Sequence, residues 1–265
     1  MDREKGIEAY QALVTAEQYQ TSINAGRAVD VVHEYKIDSE APVIRVQLHK
    51  AVAMSDRVSR YVLKSLDDSE LPEWTAGAHL DIVVAPEFLR QYSMSGDPAD
   101  RSYYEIGVLR EDDGRGGSKL LHRIFSEGRR LFVSKPINHF PQVLDAGKSW
   151  LMGGGIGITP MIAMAHEAFA NDLDLEFHYS ISSRKGAGYL EELEGVPWAD
   201  KIHLHVSDEG SRANLGDVLS HYTQGDHLYT CGPAAFMDAV IDAATVAGFP
   251  ESCLLYTSPS PRDRG

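Results

Sequence analysis

The spacing of hydrophobic positions changes twice along this chain. Residues 1–26 are polar with a weak helical stripe (Ile7, Tyr10, Leu13, Val14, then Tyr19), which Gly26 would end. From Val43 the period becomes two, in Val43–Leu48, Ser59–Lys64, His79–Val84 and Tyr103–Leu109. Polar, Gly- and Pro-containing breaks separate these runs, and short alternating strands at even spacing predict an antiparallel barrel or sandwich. A helix carrying Leu120, Leu121, Ile124 and Phe125 is expected next, then a strand over Arg130–Ser134 and a loop from Pro136 to Pro141. After Asp145 strands and helices alternate: strand Trp150–Met152, helix 159–170, strand Leu175–Ser180, helix 187–193, strand Ile202–Val206, helix 214–221, strand His227–Thr230, helix 233–247. That order predicts a parallel α/β sheet. The reading is therefore an extension over 1–42, a β half over 43–143 and an α/β half over 144–253.

Composition narrows the function classes. A net charge of −14 argues against a nucleic-acid partner. No apolar run reaches membrane-span length, and no signal-peptide core occupies the first thirty residues, so a soluble cytoplasmic protein is expected. Two cysteines, Cys231 and Cys253, exclude a disulfide framework and a four-thiolate metal centre, and no metal site is expected. Residues 254–265 (LLYTSPSPRDRG) follow no period and resemble translated adapter readthrough; they are expected to be disordered and foreign to the fold.

Four motifs carry candidate chemistry. Trp150–His166 (WLMGGGIGITPMIAMAH) reads as buried strand, glycine turn and helix with proline in its first turn, a geometry that offers backbone N–H groups to a phosphate. Such a turn also serves as a plain strand-to-helix connection. Arg90-Gln91-Tyr92-Ser93 ends a barrel strand with a cation, a ring and a hydroxyl, suited to a flat phosphorylated cofactor, or is simply a strand with a charged end. Gly114-Arg115-Gly116-Gly117-Ser118, after Leu109 and Arg110, is a second phosphate-type turn or a serine-capped hairpin loop. Tyr229-Thr230-Cys231-Gly232-Pro233 places a thiol at a strand's carboxyl end, where open α/β sheets hold ligands, though a lone cysteine also serves as a small buried hydrophobe.

The order of these motifs resembles the ferredoxin–NADP⁺ reductase superfamily and, within it, the phthalate dioxygenase reductase family that includes vanillate demethylase reductases. The resemblance covers residues 43 to 250. It implies an antiparallel six-stranded flavin-binding β-barrel followed by a parallel α/β nucleotide-binding domain, with FMN rather than FAD, and NADH rather than NADPH as reductant. On that resemblance Arg90, Gln91, Tyr92, Ser93 and Met94, with Leu109, Arg110, Gly116, Gly117 and Ser118, would hold the flavin. Gly154, Gly155, Gly157, Ile158, Thr159 and Pro160 would line the dinucleotide crevice, Ser182, Ser183 and Arg184 would face the adenosine ribose, and Asp208 would stand nearby. Cys231, Gly232 and Pro233 would border the nicotinamide, making Ser93 and Cys231 the candidates beside the reacting atoms. Arg184 and Lys185 could bind a 2′-phosphate or be solvated loop charges. The family continues into a [2Fe–2S] domain whose cysteines are not in this sequence, so either a shortened gene or a two-domain reductase is implied; the foreign tail favours the first. The partner would be a Rieske-type oxygenase or a separate ferredoxin, and the chain a monomer. The alternatives are an FAD-dependent ferredoxin or flavodoxin reductase, and an inactive binding fragment.

Overall fold

A computed structural model describes residues 43–85, 88–112 and 116–257. The expected N-terminal helix lies outside them, as do Gly114, Arg115 and residues 258–265. Two sheets build the described part of the molecule. The first runs β1 (Val43–Ala53), β2 (Val58–Ser65), β3 (Ala78–Ala85), β4 (Phe88–Ser93), β5 (Tyr104–Leu109) and β6 (Arg130–Ser134), in the spatial order β4-β3-β6-β1-β2-β5. A bridge between Met94 and Ile106 brings β4 and β5 together, so the antiparallel sheet is nearly a closed barrel. A two-residue strand, β7 (Ile137–Asn138), pairs with β3 inside the stretch expected to be a loop.

The period-two residues fill this barrel. Val46, Leu48, Tyr61, Leu63, Leu80, Ile82, Ile106, Leu131 and Val133 are all buried. β1 is long enough to pair with both β2 and β6, and a bulge between Leu48 and Lys50 lets it bend. β5 departs from alternation: Tyr104 to Val108 are all buried, because one face lines the barrel and the other meets the second half of the molecule. Helix α1 (Gly117–Ile124) tucks Leu120 and Leu121 under the barrel.

The second sheet is parallel, in the order β10-β9-β8-β11-β12. It comprises β8 (Lys148–Gly154), β9 (Asp174–Ile181), β10 (Ile202–Val206), β11 (His227–Cys231) and β12 (Leu254–Thr257). Helix α2 (Ile158–Ala170) follows β8 through a short 3₁₀ turn, Gly155–Gly157, and nine of its thirteen residues are buried. It contacts sheet on one side and barrel on the other; the Ala76 amide donates to Glu167 Oε1 at 3.2 Å. Helices α3 (Leu190–Glu194), α4 (Leu215–Leu219) and α5 (Ala234–Ala247) complete the layers. Successive strands run outward from β8 to β10 and then cross to β11. The carboxyl ends of β8 and β11 therefore flank a topological switch point.

Three expectations change. The helix expected at 187–193 begins at Leu190, because Tyr189 has a left-handed backbone (φ 66°) and Gly188 is packed against Val58. The helix expected at 214–221 shortens to five residues behind an Asn214 cap. The tail expected to be irregular from Leu254 instead begins with β12, whose Leu254–Thr257 pair with Leu228–Cys231. A parallel partner supplies the main-chain hydrogen bonds that the local sequence does not advertise.

Candidate functional site

The β4 motif divides between two faces, as strand geometry requires. Arg90 and Tyr92 share one. The Arg90 guanidinium lies over the start of α1, so close that a Cβ added at Gly117 would stand 2.6 Å from Arg90 Nε. Gly116, at φ 92°, turns the chain into that helix, and among the described residues no side chain caps its N–H groups. Guanidinium and helix N-terminus thus converge, the combination that seats a phosphate. Tyr92 is buried, and its hydroxyl has no hydrogen-bond partner among the described residues; burial also pushes its pKa up. A buried hydroxyl without a partner is costly, and a bound group offering an acceptor or donor would relieve it.

Gln91 is not brought into this group. Its amide donates to Asp81 Oδ1 at 2.9 Å and faces His79 at 3.2 Å. Ser93, half-buried at the end of β4, is followed by buried Met94. Ser118 Oγ accepts from the Glu111 amide at 3.0 Å and ties α1 to the end of β5. Leu109 is half-buried, and Arg110 pairs with Asp112 at 3.2 Å while its carbonyl accepts from Arg57.

At the switch point glycine is required by close approach. A Cβ on Gly157 would lie 2.2 Å from the Cys231 carbonyl oxygen, and one on Gly154 would lie 2.7 Å from Phe236. Gly155 has φ 54° with open space around it, so the crest of the turn is left bare. Ile158, Thr159 and Pro160 are buried in the first turn of α2, and Thr159 Oγ1 donates to the Ile156 carbonyl at 3.1 Å. Cys231 is fully buried, and desolvation pushes its thiol pKa up to about 12. The thiol is therefore protonated and enclosed by core, so the structure does not expose it to the crevice. Gly232 is buried beneath Phe236, and Pro233 is exposed.

The ribose-side residues cluster at the ends of β9 and β10. The Asp208 amide donates to the Ser182 carbonyl at 3.1 Å, and Ser183 leads into the turn that carries Arg184. Arg184 makes a two-point contact with Glu209, at 2.8 and 3.3 Å.

A polar network joins the two halves. Ser95 Oγ donates to Glu105 Oε1 at 3.0 Å and meets the Tyr189 hydroxyl at 2.8 Å. Arg60 pairs with Glu105 at 3.4 Å and with Glu192 at 3.7 Å. Gly107 is small because Tyr189 and Thr159 press against it; an added Cβ would meet them at 2.6 and 2.8 Å. Burial raises the Glu105 pKa, a shift that Arg60 and Ser95 offset in part. This network fixes the end of β4 against the glycine turn. Tyr189, Glu105, Arg60, Gly107 and Phe236 were not singled out from the sequence. Only the Gly-Tyr step at 188–189 hints at an unusual turn there.

No protein-family model matches the chain. It is 39% identical over 188 residues to the vanillate O-demethylase oxidoreductase of Pseudomonas putida, covering 71% of this chain and 59% of the relative. It is 35% identical to the carnitine monooxygenase reductase subunit of Escherichia coli K12, covering 76% of this chain and 64% of that protein. The chain thus spans about three-fifths of the length of these curated relatives. Among solved structures, phthalate dioxygenase reductase, described as a modular structure for electron transfer from pyridine nucleotides to [2Fe–2S], superposes with a TM-score of 0.76 at 30% identity. That match covers 82% of this chain and 68% of the other.

Proposed function

Because this chain belongs to the phthalate dioxygenase reductase family of ferredoxin reductase-like proteins, we propose that it is an NADH-dependent flavoprotein reductase that holds FMN and serves an oxygenase system through an iron–sulfur acceptor. One observation carries the reading: the Arg90–α1 phosphate seat and the bare Gly155 turn are held against each other by the Ser95–Tyr189–Gly107 contact. A bound flavin would supply the chemistry, accepting a hydride from the reduced nucleotide and releasing electrons singly.

The residues present fit such a group. Arg90 and the first N–H groups of α1 would take its phosphate, Tyr92 would wall the ring and find a partner for its hydroxyl, and Ser93 would meet the ring edge. The start of α2 behind Gly155 and Gly157 would take the dinucleotide's pyrophosphate at the positive end of the helix. Ser182, Ser183 and Asp208 would face the ribose. Glu209 already occupies Arg184, and two adjacent carboxylates disfavour a 2′-phosphate, which supports NADH over NADPH. Cys231, enclosed by core with burial pushing its thiol pKa up, would contribute packing at the end of β11 rather than an acid, base or nucleophile. The contribution of the chain is orientation.

The experiment is an anaerobic absorbance titration. Purified protein reconstituted with FMN should show a bound-flavin spectrum that bleaches on NADH and far less readily on NADPH. Protein that retains neither FMN nor FAD overturns the reading.

A further inference from the structure

The parallel sheet carries a histidine cluster that the residues above leave unused. Glu176 and His178 alternate on one face of β9, and the register of β10 sets His203 beside His178, with His205 two residues on. His178 is almost wholly buried. Its ring lies nearly parallel to His203 (4.8 Å, 17°), edge to edge and coplanar with His205 (5.3 Å, 7°), and parallel to the more distant Trp150 (6.5 Å, 11°). Its Nε2 lies 3.1 Å from Glu176 Oε1, and its Nδ1 lies 3.0 Å from His205 Nε2. The other Glu176 oxygen is 3.4 Å from Lys148 Nζ.

Packing alone does not call for this composition. Strand positions beside a buried tryptophan are served better by Val or Ile, which need no polar partners. Two imidazoles and a carboxylate, with a third imidazole behind them, are instead the donor set and support of a late divalent metal ion. One ligand atom each from Glu176, His178 and His203 already lie within 4.8 Å of one another. The 3.1 Å separation of His178 Nε2 and Glu176 Oε1 is close to the roughly 3.3 Å between neighbouring ligands of a tetrahedral ion with bonds of about 2.0–2.1 Å. His203 is exposed, so its ring is free to swing onto a shared ion.

The hydrogen bonds point the same way. A neutral imidazole has one N–H, and His178 bonds through both nitrogens, while His205 also bonds the Ser211 backbone. Both His178 nitrogens are thus engaged, Nδ1 by His205 and Nε2 by the Glu176 carboxylate, so the ring is held with Nε2 and Oε1 facing one another. That pair of facing ligand atoms is the geometry a shared cation takes. His205 then becomes the partner that orients a metal-bound ring.

We propose that Glu176, His178 and His203 bind one divalent transition-metal ion of the zinc type, with water completing its coordination. His205 positions His178 from behind. The ion would tie β10, at one end of the sheet, to β9.

The test uses the full, tag-free chain freed of metal with a chelator. Zn²⁺ is added by calorimetric titration, and Co²⁺ is added in parallel for its visible spectrum. The expected result is one tight equivalent per chain, a Co²⁺ spectrum of nitrogen–oxygen ligation and a melting temperature raised by Zn²⁺. Glu176→Gln and His203→Ala, at half-buried and exposed positions, should keep the far-ultraviolet circular dichroism of the parent and lose all three signals. His205→Gln should weaken binding about 10-fold or more. His221→Ala, at an exposed histidine elsewhere, should bind as the parent does. No saturable binding to the parent, or equal binding in Glu176→Gln, His203→Ala and parent, overturns the proposal.

Discussion

Replacing Gly157 by alanine tests how closely the two strand ends at the switch point must approach. The backbone there is ordinary right-handed helix (φ −64°, ψ −2°), so a methyl group brings no conformational strain. It does bring a collision with main chain: the new Cβ would stand 2.2 Å from the Cys231 carbonyl oxygen and 2.4 Å from its carbon. Restoring even the tightest tolerable contact, 3.0 Å, means moving β11 or the turn by at least about 0.8 Å, and no flexible side chain is there to yield. Overpacking of this kind costs roughly 1–3 kcal/mol, and the backbone obstacle puts it near the top of that range. At about 2–4 °C per kcal/mol for a chain of this size, the melting temperature should fall by roughly 6–12 °C. The same displacement should lower kcat/KM for NADH, since about 1 Å of misplacement costs on the order of 100-fold in the rate of a positioned reaction. Gly155→Ala is the control. Nothing lies within 4 Å of its Cβ, so only the left-handed backbone (φ 54°) opposes it, at roughly 1–2 kcal/mol. The assay pairs thermal unfolding with steady-state NADH oxidation for both variants. A Gly157→Ala protein that melts with the parent and keeps its kcat/KM would refute the close-approach reasoning.

Arg90→Ala should weaken FMN binding by about 10–100-fold, the worth of roughly 1.5–3 kcal/mol for a charge-assisted bond, read by flavin fluorescence; equal affinity would remove Arg90 from the phosphate seat. Iodoacetamide at pH 8 should label Cys253 and leave Cys231 untouched until denaturant is added, because burial holds the Cys231 pKa near 12; rapid labelling of Cys231 in the native protein would contradict the enclosed thiol. Glu105 has a folded-state pKa raised above its unfolded value, so its protonation favours the fold below the unfolded pKa, and that contribution is lost as pH rises through the folded pKa. Urea unfolding of Glu105→Gln against the parent should therefore show the parent losing ground as pH rises above about 4.3, the value of an unfolded glutamate, and a pH-independent difference would count against the shift. Tyr189→Phe should cost about 0.5–1.5 kcal/mol by removing the hydroxyl that meets Ser95, measured by the same unfolding.

Much of the candidate site was legible because its signals are local. Gly154, Gly155 and Gly157 stand out next to an apolar strand, and Arg90 and Tyr92 stand out by spacing alone. Gln91 was misgrouped because adjacency in sequence is not adjacency on a strand: it points to Asp81, on the face opposite Tyr92. Cys231 was placed correctly at the end of β11, but no sequence pattern reveals that core encloses its thiol. The zinc-type cluster was invisible for a related reason. Its histidines are 25 residues apart and meet only through the β9–β10 register.

By itself the sequence determined most of the succession of elements, the change from antiparallel to parallel grammar near residue 145 and the positions of the glycine turns. Burial periodicity and backbone sterics are decided within a few residues. Only the tertiary structure decided the strand order of the barrel, the left-handed Tyr189 that wedges against Gly107, the pairing of Arg184 with Glu209 and the strand at Leu254–Thr257. Those features depend on groups far apart in the chain reaching within a few ångströms of one another. That is a property of how the layers stack, and no local pattern encodes it.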